Sequence, residues 1–257
     1  MTDYEIFRDV LPQLSVTEEQ FRHITDIDNC TVFREDDGIA LIRENRIVFI
    51  GVAKKSRGKG VGKRLLSQCE NHVKEQGYDR IGASGFIAGI PDTGIDFFRA
   101  MGYETGGTGV EMGMDLTGFE PLLPETDITY DFLSGRYEEL KKAVASVDEE
   151  WVQYFSENSN IYCGFKGKEI ACFCLVDFDA ECILSDENSK VTSIGCVGTV
   201  PKFRRNGYGL KMVENATLIS KRKGCNKGFI HQTHLEGWYG KLGYKTVIKF
   251  SPVRKIL

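Results

Sequence analysis

The 257-residue sequence has no long apolar run, no C-x-x-C pair among its eight cysteines, no low-complexity stretch and no large charge excess. Each absence removes a class of protein. A bilayer span needs about 20 consecutive apolar residues, so no membrane partner is expected. A net charge of −4 gives no broad attraction to nucleic acid. The opening Met1-Thr2-Asp3-Tyr4-Glu5 is polar and acidic, unlike a secretory leader, so a cytoplasmic location is expected. The cysteines are scattered, and several sit in apolar runs such as Ala171-Cys172-Phe173-Cys174-Leu175. They read as reduced core thiols rather than a disulfide framework. A hydrophobic content of 41% and a charged content of 27% are ordinary for a globular protein.

What is present is a long internal repeat. Arg57-Gly58-Lys59-Gly60-Val61-Gly62 recurs as Arg204-Arg205-Asn206-Gly207-Tyr208-Gly209, and 204 − 57 gives an offset of 147. Both stretches follow a strand-like run and open an amphipathic pattern. After Gly62, small or apolar residues fall at Leu65, Leu66, Cys69 and Val73; after Gly209 they fall at Met212, Val213, Ala216 and Ser220. This is the +3, +4, +7, +11 spacing of one helix face. Gly77 and Gly224 then stand where a helix stop is expected. Further on, Phe97-Phe98-Arg99-Ala100-Met101-Gly102-Tyr103 matches Trp238-Tyr239-Gly240-Lys241-Leu242-Gly243-Tyr244, now at an offset of 141 (238 − 97). A repeat of this length is a duplicated domain, not a solenoid unit. The expected division is 1–118 and 119–257, each half long enough to bury its own core.

Along the first half, Thr17 and Gln20 signal a helix cap before Phe21 and Ile24. Strands are expected at 30–33, 39–42 and 46–53, punctuated by Asp36-Asp37-Gly38. The glycine loop and its helix follow. A strand over 80–86, a helix from Pro91 to near Gly102 and a hairpin over 104–116 complete the half. Pro121 and Pro124 make 120–125 a stiff, extended connector. The second half repeats the order: a helix over 137–147, strands over 161–165, 169–178 and 191–200, the loop and its helix, a strand near 228–232, a helix to Gly243, and a last strand pair from Lys245.

A glycine loop between a strand and a helix is an anion cradle. The first-turn N–H groups of a helix lack internal partners, and the helix dipole adds partial positive charge there. Glycine lets the backbone adopt left-handed conformations and approach a ligand closely. Neither loop has the G-x-G-x-x-G of dinucleotide-binding folds, and Gly58-Lys59-Gly60-Val61-Gly62-Lys63 lacks the Gly-Lys-Ser/Thr of a Walker loop.

The combination resembles the GNAT superfamily of N-acetyltransferases, whose acyl-CoA loop is written Arg/Gln-x-x-Gly-x-Gly/Ala and whose later segment is Tyr-x-x-x-Gly-Phe/Tyr. Arg57…Gly60…Gly62, Arg204…Gly207…Gly209, Phe98…Gly102-Tyr103 and Tyr239…Gly243-Tyr244 carry the resemblance. It implies an α/β (α+β) fold. Each of two domains would have a mixed, largely antiparallel sheet flanked by helices, with a central strand that splays from its neighbour before the loop. It also implies acyl transfer from acetyl-CoA, or another acyl-CoA, to an amine of a small molecule or peptide. The attack would be direct, in a ternary complex and without a metal. The strand backbone of Val52 and Ala53, and of Val197, Gly198 and Thr199, would hold the pantetheine arm. The loops Arg57, Gly58, Lys59, Gly60, Val61, Gly62, Lys63 and Arg204, Arg205, Asn206, Gly207, Tyr208, Gly209, Leu210 would hold the pyrophosphate. Six basic residues between Lys54 and Arg64 offer further phosphate contacts, or form a solvated helix end.

The halves differ where the resemblance implies a general acid. Tyr239 occupies the position of the tyrosine that protonates the departing thiolate; Phe98 stands at the same place in the first half and has no proton to give. The C-terminal half is therefore expected to be catalytic. The first loop is nonetheless the cleaner match, so the better CoA site and the better acid need not share a half. His231, His234 and Glu236 are alternative general bases, and none matches a fixed family position. His231-x-x-His234 is not a convincing metal pair, and Cys196 reads as a core thiol before a nucleophile. Asp177, Asp179 and Glu181 either attract a cationic acceptor or are strand-edge charges. The alternative to an enzyme is a non-catalytic acyl-CoA sensor or interaction scaffold. Monomer and homodimer are both compatible with the sequence.

Overall fold

The computed structural model describes every residue except Ser15. The chain forms two compact units, neither contiguous in sequence. The first comprises Met1–Glu111, Glu181–Glu187 and Val247–Leu257; the second comprises Met112–Ala180 and Asn188–Thr246.

The first half of the chain runs α1 (Asp3–Val10), α2 (Glu18–Thr25), β1 (Thr31–Glu35), β2 (Gly38–Arg43), β3 (Arg46–Val52), α3 (Val61–Glu75), β4 (Arg80–Ala83), β5 (Ile90–Pro91), α4 (Asp92–Ala100), β6 (Glu104–Thr105) and β7 (Gly109–Asp115). The second runs β8 (Thr129–Phe132), α5 (Tyr137–Ala145), β9 (Ile161–Lys166), β10 (Glu169–Asp177), β11 (Val191–Thr199), α6 (Tyr208–Arg222), β12 (Lys227–Thr233), α7 (Glu236–Tyr239), β13 (Lys245–Ser251) and β14 (Val253–Ile256). One sheet is ordered β1-β2-β3-β4-β14-β6 and the other β5-β13-β7-β12-β11-β10-β9-β8. Each sheet is mixed. β3 pairs parallel with β4, and β11 parallel with β12, while β1/β2, β2/β3, β9/β10 and β10/β11 are antiparallel.

The helices form as the spacing predicts. Thr17 and Gln20 close a reciprocal capping box on α2. In α3 the predicted face is the buried one: Leu65, Leu66, Cys69 and Val73 pack on Ala40, Ile42, Ile47 and Ile81 of the sheet. Burying each leucine there contributes about 1.5–3 kcal/mol. In α6, Met212, Val213, Ala216 and Ser220 are buried likewise. Gly77 and Gly224, both with positive φ, follow the two helices.

The structure adds to or departs from the sequence reading at four places. The N-terminal residues form a helix, α1, capped by Thr2 and Glu5 in a box of the same kind as that of Thr17 and Gln20. The segment 104–116 is not a hairpin, because β6 and β7 lie in different sheets. Two strands do follow from Lys245, but they lie in different sheets and do not pair with each other. Only Pro252 separates β13 from β14, and one residue cannot reverse a chain. β14 instead pairs with β4, as Arg254↔Gly82 and Ile256↔Arg80, and with β6, as Arg254↔Glu104. The connector is also anchored to α6. The Leu122 and Leu123 N–H groups both donate to Glu214 Oε1 of α6 (2.5 and 2.8 Å), and Lys211 Nζ donates to the Leu123 carbonyl (3.0 Å).

Candidate active site

Each half builds a site from a strand that loses its partner. β3 pairs with β4 only at Arg46↔Gly82 and Ile47↔Ala83, then continues to Val52 with β2 on its other edge. β11 pairs with β12 from Val191 to Ser193 and continues to Thr199. Both strands also carry a bulge. Against β2 the register jumps between Ile47 and Phe49, leaving Val48 over. Against β10 it jumps between Gly195 and Gly198, with Cys196 at φ 47°. A bulge bends and twists a strand and commonly sits beside a functional site. No sequence signal announced these two.

One side-chain bond recurs in both loops. Arg57 Nε donates to the Val52 carbonyl (3.0 Å), and Arg204 Nε to the Thr199 carbonyl (3.1 Å). The first arginine of each loop therefore ties the loop to the end of the splayed strand. Single 3-10 turns, Lys54–Ser56 and Pro201–Phe203, lead into both loops. The left-handed positions also coincide. Gly58 and Gly60 have φ 75° and 78°; Arg205 and Gly207 have φ 67° and 79°. Gly60 and Gly207 then stand at the N-caps of α3 and α6, whose first-turn amides face the loop.

Beyond the loops the aromatic pairs match too. Phe98 meets Tyr103 edge-on at 5.0 Å, and Tyr239 meets Tyr244 edge-on at 6.3 Å. Tyr103 Oη donates to Glu70 of α3 (3.1 Å), and Tyr244 Oη lies 3.0 Å from Thr217 Oγ1 of α6. Those tyrosines are braces. Phe98 and Tyr239 are where the halves diverge chemically. Tyr239 is 5% exposed, and burial raises its hydroxyl pKa above the usual tyrosine value, with Cys174, Tyr244 and Cys196 adding to the effect. The hydroxyl is thus protonated at neutral pH.

In the first unit the splay opens a cavity of about 420 Å³. Val48, Phe49, Ile50, Gly51 and Val52 form one wall, and Phe86, Ile87, Gly89, Ile90 and Pro91 form another. The mouth is Arg57, Gly58, Gly60, Val61, Gly62 and Lys63. Ala53 is buried, its N–H bonded to the Asp37 carbonyl (2.9 Å), and neither it nor Lys59 lines the cavity. Of the basic cluster, Lys54 pairs with Asp9, Lys55 with Asp37, and Arg64 with Glu35 and Asp36. Lys55, then Ser56, holds the Asp37 carboxyl below its usual range. Sequence reasoning misses Val10, Phe49 and Phe86 as lining residues, because it does not find α1 and reads 80–86 as strand throughout. The Thr2 and Glu5 capping box is the signal that marks α1.

In the second unit a hollow of about 330 Å³ is lined by Asn206, Gly207, Tyr208, Leu210 and Lys211 together with Leu123–Asp127. Tyr208 Oη donates to Asp127 Oδ1 (2.6 Å). Val197, Gly198 and Thr199 lie on β11 outside that hollow, with Gly198 against the Phe173 ring. Gly209 faces Thr199 and Trp238 so closely that a Cβ would lie 2.5 Å from Thr199 Oγ1. Arg204 and Arg205 are exposed. His231, His234 and Glu236 are exposed, and Glu236 accepts from Thr246 Oγ1 (2.6 Å). Burial pushes the Cys196 thiol up to about 11, which leaves it a poor nucleophile. Glu181 pairs with His23 (2.5 Å), and Asp177 accepts from the Asp179 N–H (3.0 Å). Among the described residues no group of three or more His, Cys, Asp or Glu is placed to hold a metal, and no helix is long and apolar enough to cross a membrane.

Comparison with known families matches residues 18–105 to an acetyltransferase (GNAT) domain and residues 126–244 to the acetyltransferase (GNAT) family. The chain is a tandem member of the GNAT family. GNAT structures from several sources share its fold. A GCN5-related glucosamine N-acetyltransferase region of a fungal multi-domain GH3 β-N-acetylglucosaminidase aligns with TM-score 0.75 at 16% identity, covering 98% of this chain and 36% of that one. This chain thus spans little more than a third of that protein. A GCN5-related N-acetyltransferase from Sphaerobacter thermophilus aligns with TM-score 0.62 at 16% identity, covering 86% and 77%. A tandem GNAT protein from the clavulanic acid biosynthesis pathway aligns with TM-score 0.54 at 10% identity, covering 85% and 78%. No curated protein sequence matches significantly. At these identities the structures speak for the fold alone, and the splayed strands, loops and capped helices of both halves are its GNAT features.

Proposed function

We propose that this tandem GNAT protein is an N-acyltransferase that moves an acetyl group from acetyl-CoA to an amine by direct attack in a ternary complex. The observation that carries the acyl-CoA part of the reading is the cavity of the N-terminal half. It runs from an anion-binding loop along the length of β3 that β4 no longer pairs, the form a phosphate-headed ligand with a flexible arm requires. The residues fit such a ligand. Left-handed Gly58 and Gly60 bare the loop amides, and Arg57 fixes the loop to Val52.

The two halves take different parts. A neutral amine attacks the thioester carbonyl, the C–N bond forms as the C–S bond breaks, the nitrogen gives up its extra proton to water, and the departing thiolate takes a proton from an acid that water then reprotonates. In the C-terminal half Tyr239 supplies that proton. Its hydroxyl is protonated at neutral pH, and it shares an environment with Cys196 at the β11 bulge. In the N-terminal half the same position is Phe98, buried and unable to donate. This difference supports a second role for that half, in which it binds acyl-CoA without turnover.

The test is thiol release from acetyl-CoA offered a panel of small-molecule and peptide amines, for the wild type and for Tyr239→Phe. A general acid is worth about 10²–10⁴-fold in rate. The variant is expected to lose a hundredfold or more in kcat while its melting temperature holds. Full turnover by the variant at every pH removes Tyr239 from the mechanism, and no thiol release by the wild type with any amine leaves the binding role alone.

A further inference from the structure

The C-terminal half carries a carboxylate that the acyl transfer above leaves unused. Asp148 joins α5 to the 3-10 helix Glu149–Tyr154 and is half-buried. Three bonds to backbone groups fix its place. Its N–H donates to the Val144 carbonyl (2.9 Å), its carbonyl accepts from the Trp151 N–H (3.3 Å), and its Oδ1 accepts from the Glu150 N–H (3.0 Å). Among the described residues no lysine, arginine or histidine forms an ion pair with it; Arg136 and Lys141 pair instead with Glu139 and Glu138. Glu149 and Glu150 line an outer groove with Lys141 and Lys142, and Asp148 does not. Asp148 bears on β11. After burial, its charge is what raises the Cys196 thiol, and Cys196 in turn acts on Tyr239, behind burial, Cys174 and Tyr244. Val147 and Trp151 pack against the same buried cluster as Cys196. The turn that holds Asp148 therefore lies against the β11 bulge, in the neighbourhood of the acid.

We infer that Asp148 holds an ammonium group of the acceptor, so that the C-terminal half acts on diamines, with one nitrogen protonated on Asp148 and the other free to attack. The inference rests on the reading that this half is the catalytic one. The chemistry requires two nitrogens. A carboxylate beside an amine favours its charged form, and an ammonium has no lone pair with which to attack a thioester. The nitrogen that Asp148 holds is therefore not the one that is acylated. A diamine supplies both, and half-buried Val147 and Trp151 give the hydrocarbon between them an apolar wall. The free nitrogen forms the C–N bond as the C–S bond breaks, and gives its extra proton to water. The thiolate takes the Tyr239 proton, which water replaces. The ammonium on Asp148 keeps its proton throughout. The other carboxylates that could attract a cation are engaged elsewhere: Asp177 accepts from the Asp179 N–H, and Glu181 pairs with His23.

The test is thiol release from acetyl-CoA by the full chain, read as the ratio of kcat/KM for diaminobutane to that for butylamine, with diaminopropane and diaminohexane to cover the spacing. A hydrogen bond between charged groups is worth about tenfold or more in affinity, so the diamine should be preferred by at least that factor, well beyond the statistical advantage of a second nitrogen. Asp148→Asn keeps a side-chain oxygen for the Glu150 N–H and removes the charge. Its ratio should fall to the statistical value, and Asp148→Glu should retain a preference for the diamine. If Asp148→Asn turns over too slowly to read, calorimetric titration of the CoA-bound variant and wild type with the two amines gives the same comparison. A wild type that takes butylamine as readily as every diamine overturns the inference and leaves the acyltransferase reading standing. So does a preference that survives Asp148→Asn, including one in which both amines lose equally. No thiol release by the wild type with any amine overturns the catalytic reading beneath it as well.

Discussion

The two loops share a backbone but not a side chain at one left-handed position, and this gives a stability test free of packing effects. Gly58 has φ 75°, and a Cβ added there would meet nothing within 4 Å; its counterpart Arg205 has φ 67°. A side chain in the left-handed region costs about 1–2 kcal/mol. Glycine in turn loses about 0.5–1 kcal/mol through the greater freedom of its unfolded state. The difference predicts that Gly58→Ala destabilises by about 1 kcal/mol and that Arg205→Gly stabilises by about 0.5–1 kcal/mol. For a chain of this size that is roughly 2–4 °C in opposite directions. Gly107 supplies the control. It too has open space around a Cβ but lacks a positive φ, so Gly107→Ala should be neutral or slightly stabilising. Thermal melts of the three variants decide the matter. If Gly58→Ala melts with Gly107→Ala, the loop does not need its left-handed backbone and the equivalence of the two cradles fails.

Two further outcomes follow from the connector. Glu214 is fully buried, accepts two connector N–H groups, and lies 3.0 Å from Lys211 Nζ, itself almost completely buried. Removing one member of a buried pair strands the other, at about 3–5 kcal/mol. Because Glu125 also reaches Lys211 (3.0 Å), Glu214→Ala should cost about 3 kcal/mol, the lower end, in a urea melt, and a change below 1 kcal/mol refutes the buried latch. Asp127 is held below the usual carboxylate range by Lys166 first and Tyr208 second. A lowered folded-state value means that the stability it contributes is present above the ordinary carboxylate value of about 3.9 and is lost as pH falls through the folded one. Asp127→Asn should therefore melt below the wild type at pH 7 and merge with it at low pH. A deficit that persists under acid would show that it comes from something other than the charge.

Much of this molecule can be read in its sequence because the repeat supplies each reading twice. The offset of 147 residues between Arg57 and Arg204 recurs as the same Nε-to-carbonyl bond in both halves, and that between Gly60 and Gly207 as the same left-handed cap. The helix faces at Leu65 and Met212 are legible through their period. The exchange of final strands is harder, since pairing is a matter of which sheet edge is open, and no residue of 104–116 names its partner. The single residue between Ser251 and Val253 does carry the warning, because a one-residue gap cannot form a hairpin. The site divides in the same way. The glycines and Tyr239 stand in motifs, whereas Val10, Phe49 and Phe86 reach the cavity only through tertiary packing, and the bulges at Val48 and Cys196 have no local composition to mark them. Lys211 and Glu214 are hidden because charged residues on a helix usually face water.

The most direct test of the account is calorimetric titration with CoA of the wild type and of Gly62→Phe. Gly62 lies at the cavity mouth in α3, with no positive φ, and a Cβ there would make only ordinary contacts with Phe97 and Val52. A phenyl ring at this place blocks the mouth without straining the backbone. The account predicts that the wild type binds CoA and that Gly62→Phe, with an unchanged melting temperature, binds one molecule fewer. No binding by the wild type at millimolar CoA, or the same stoichiometry and affinity in the variant, would contradict it.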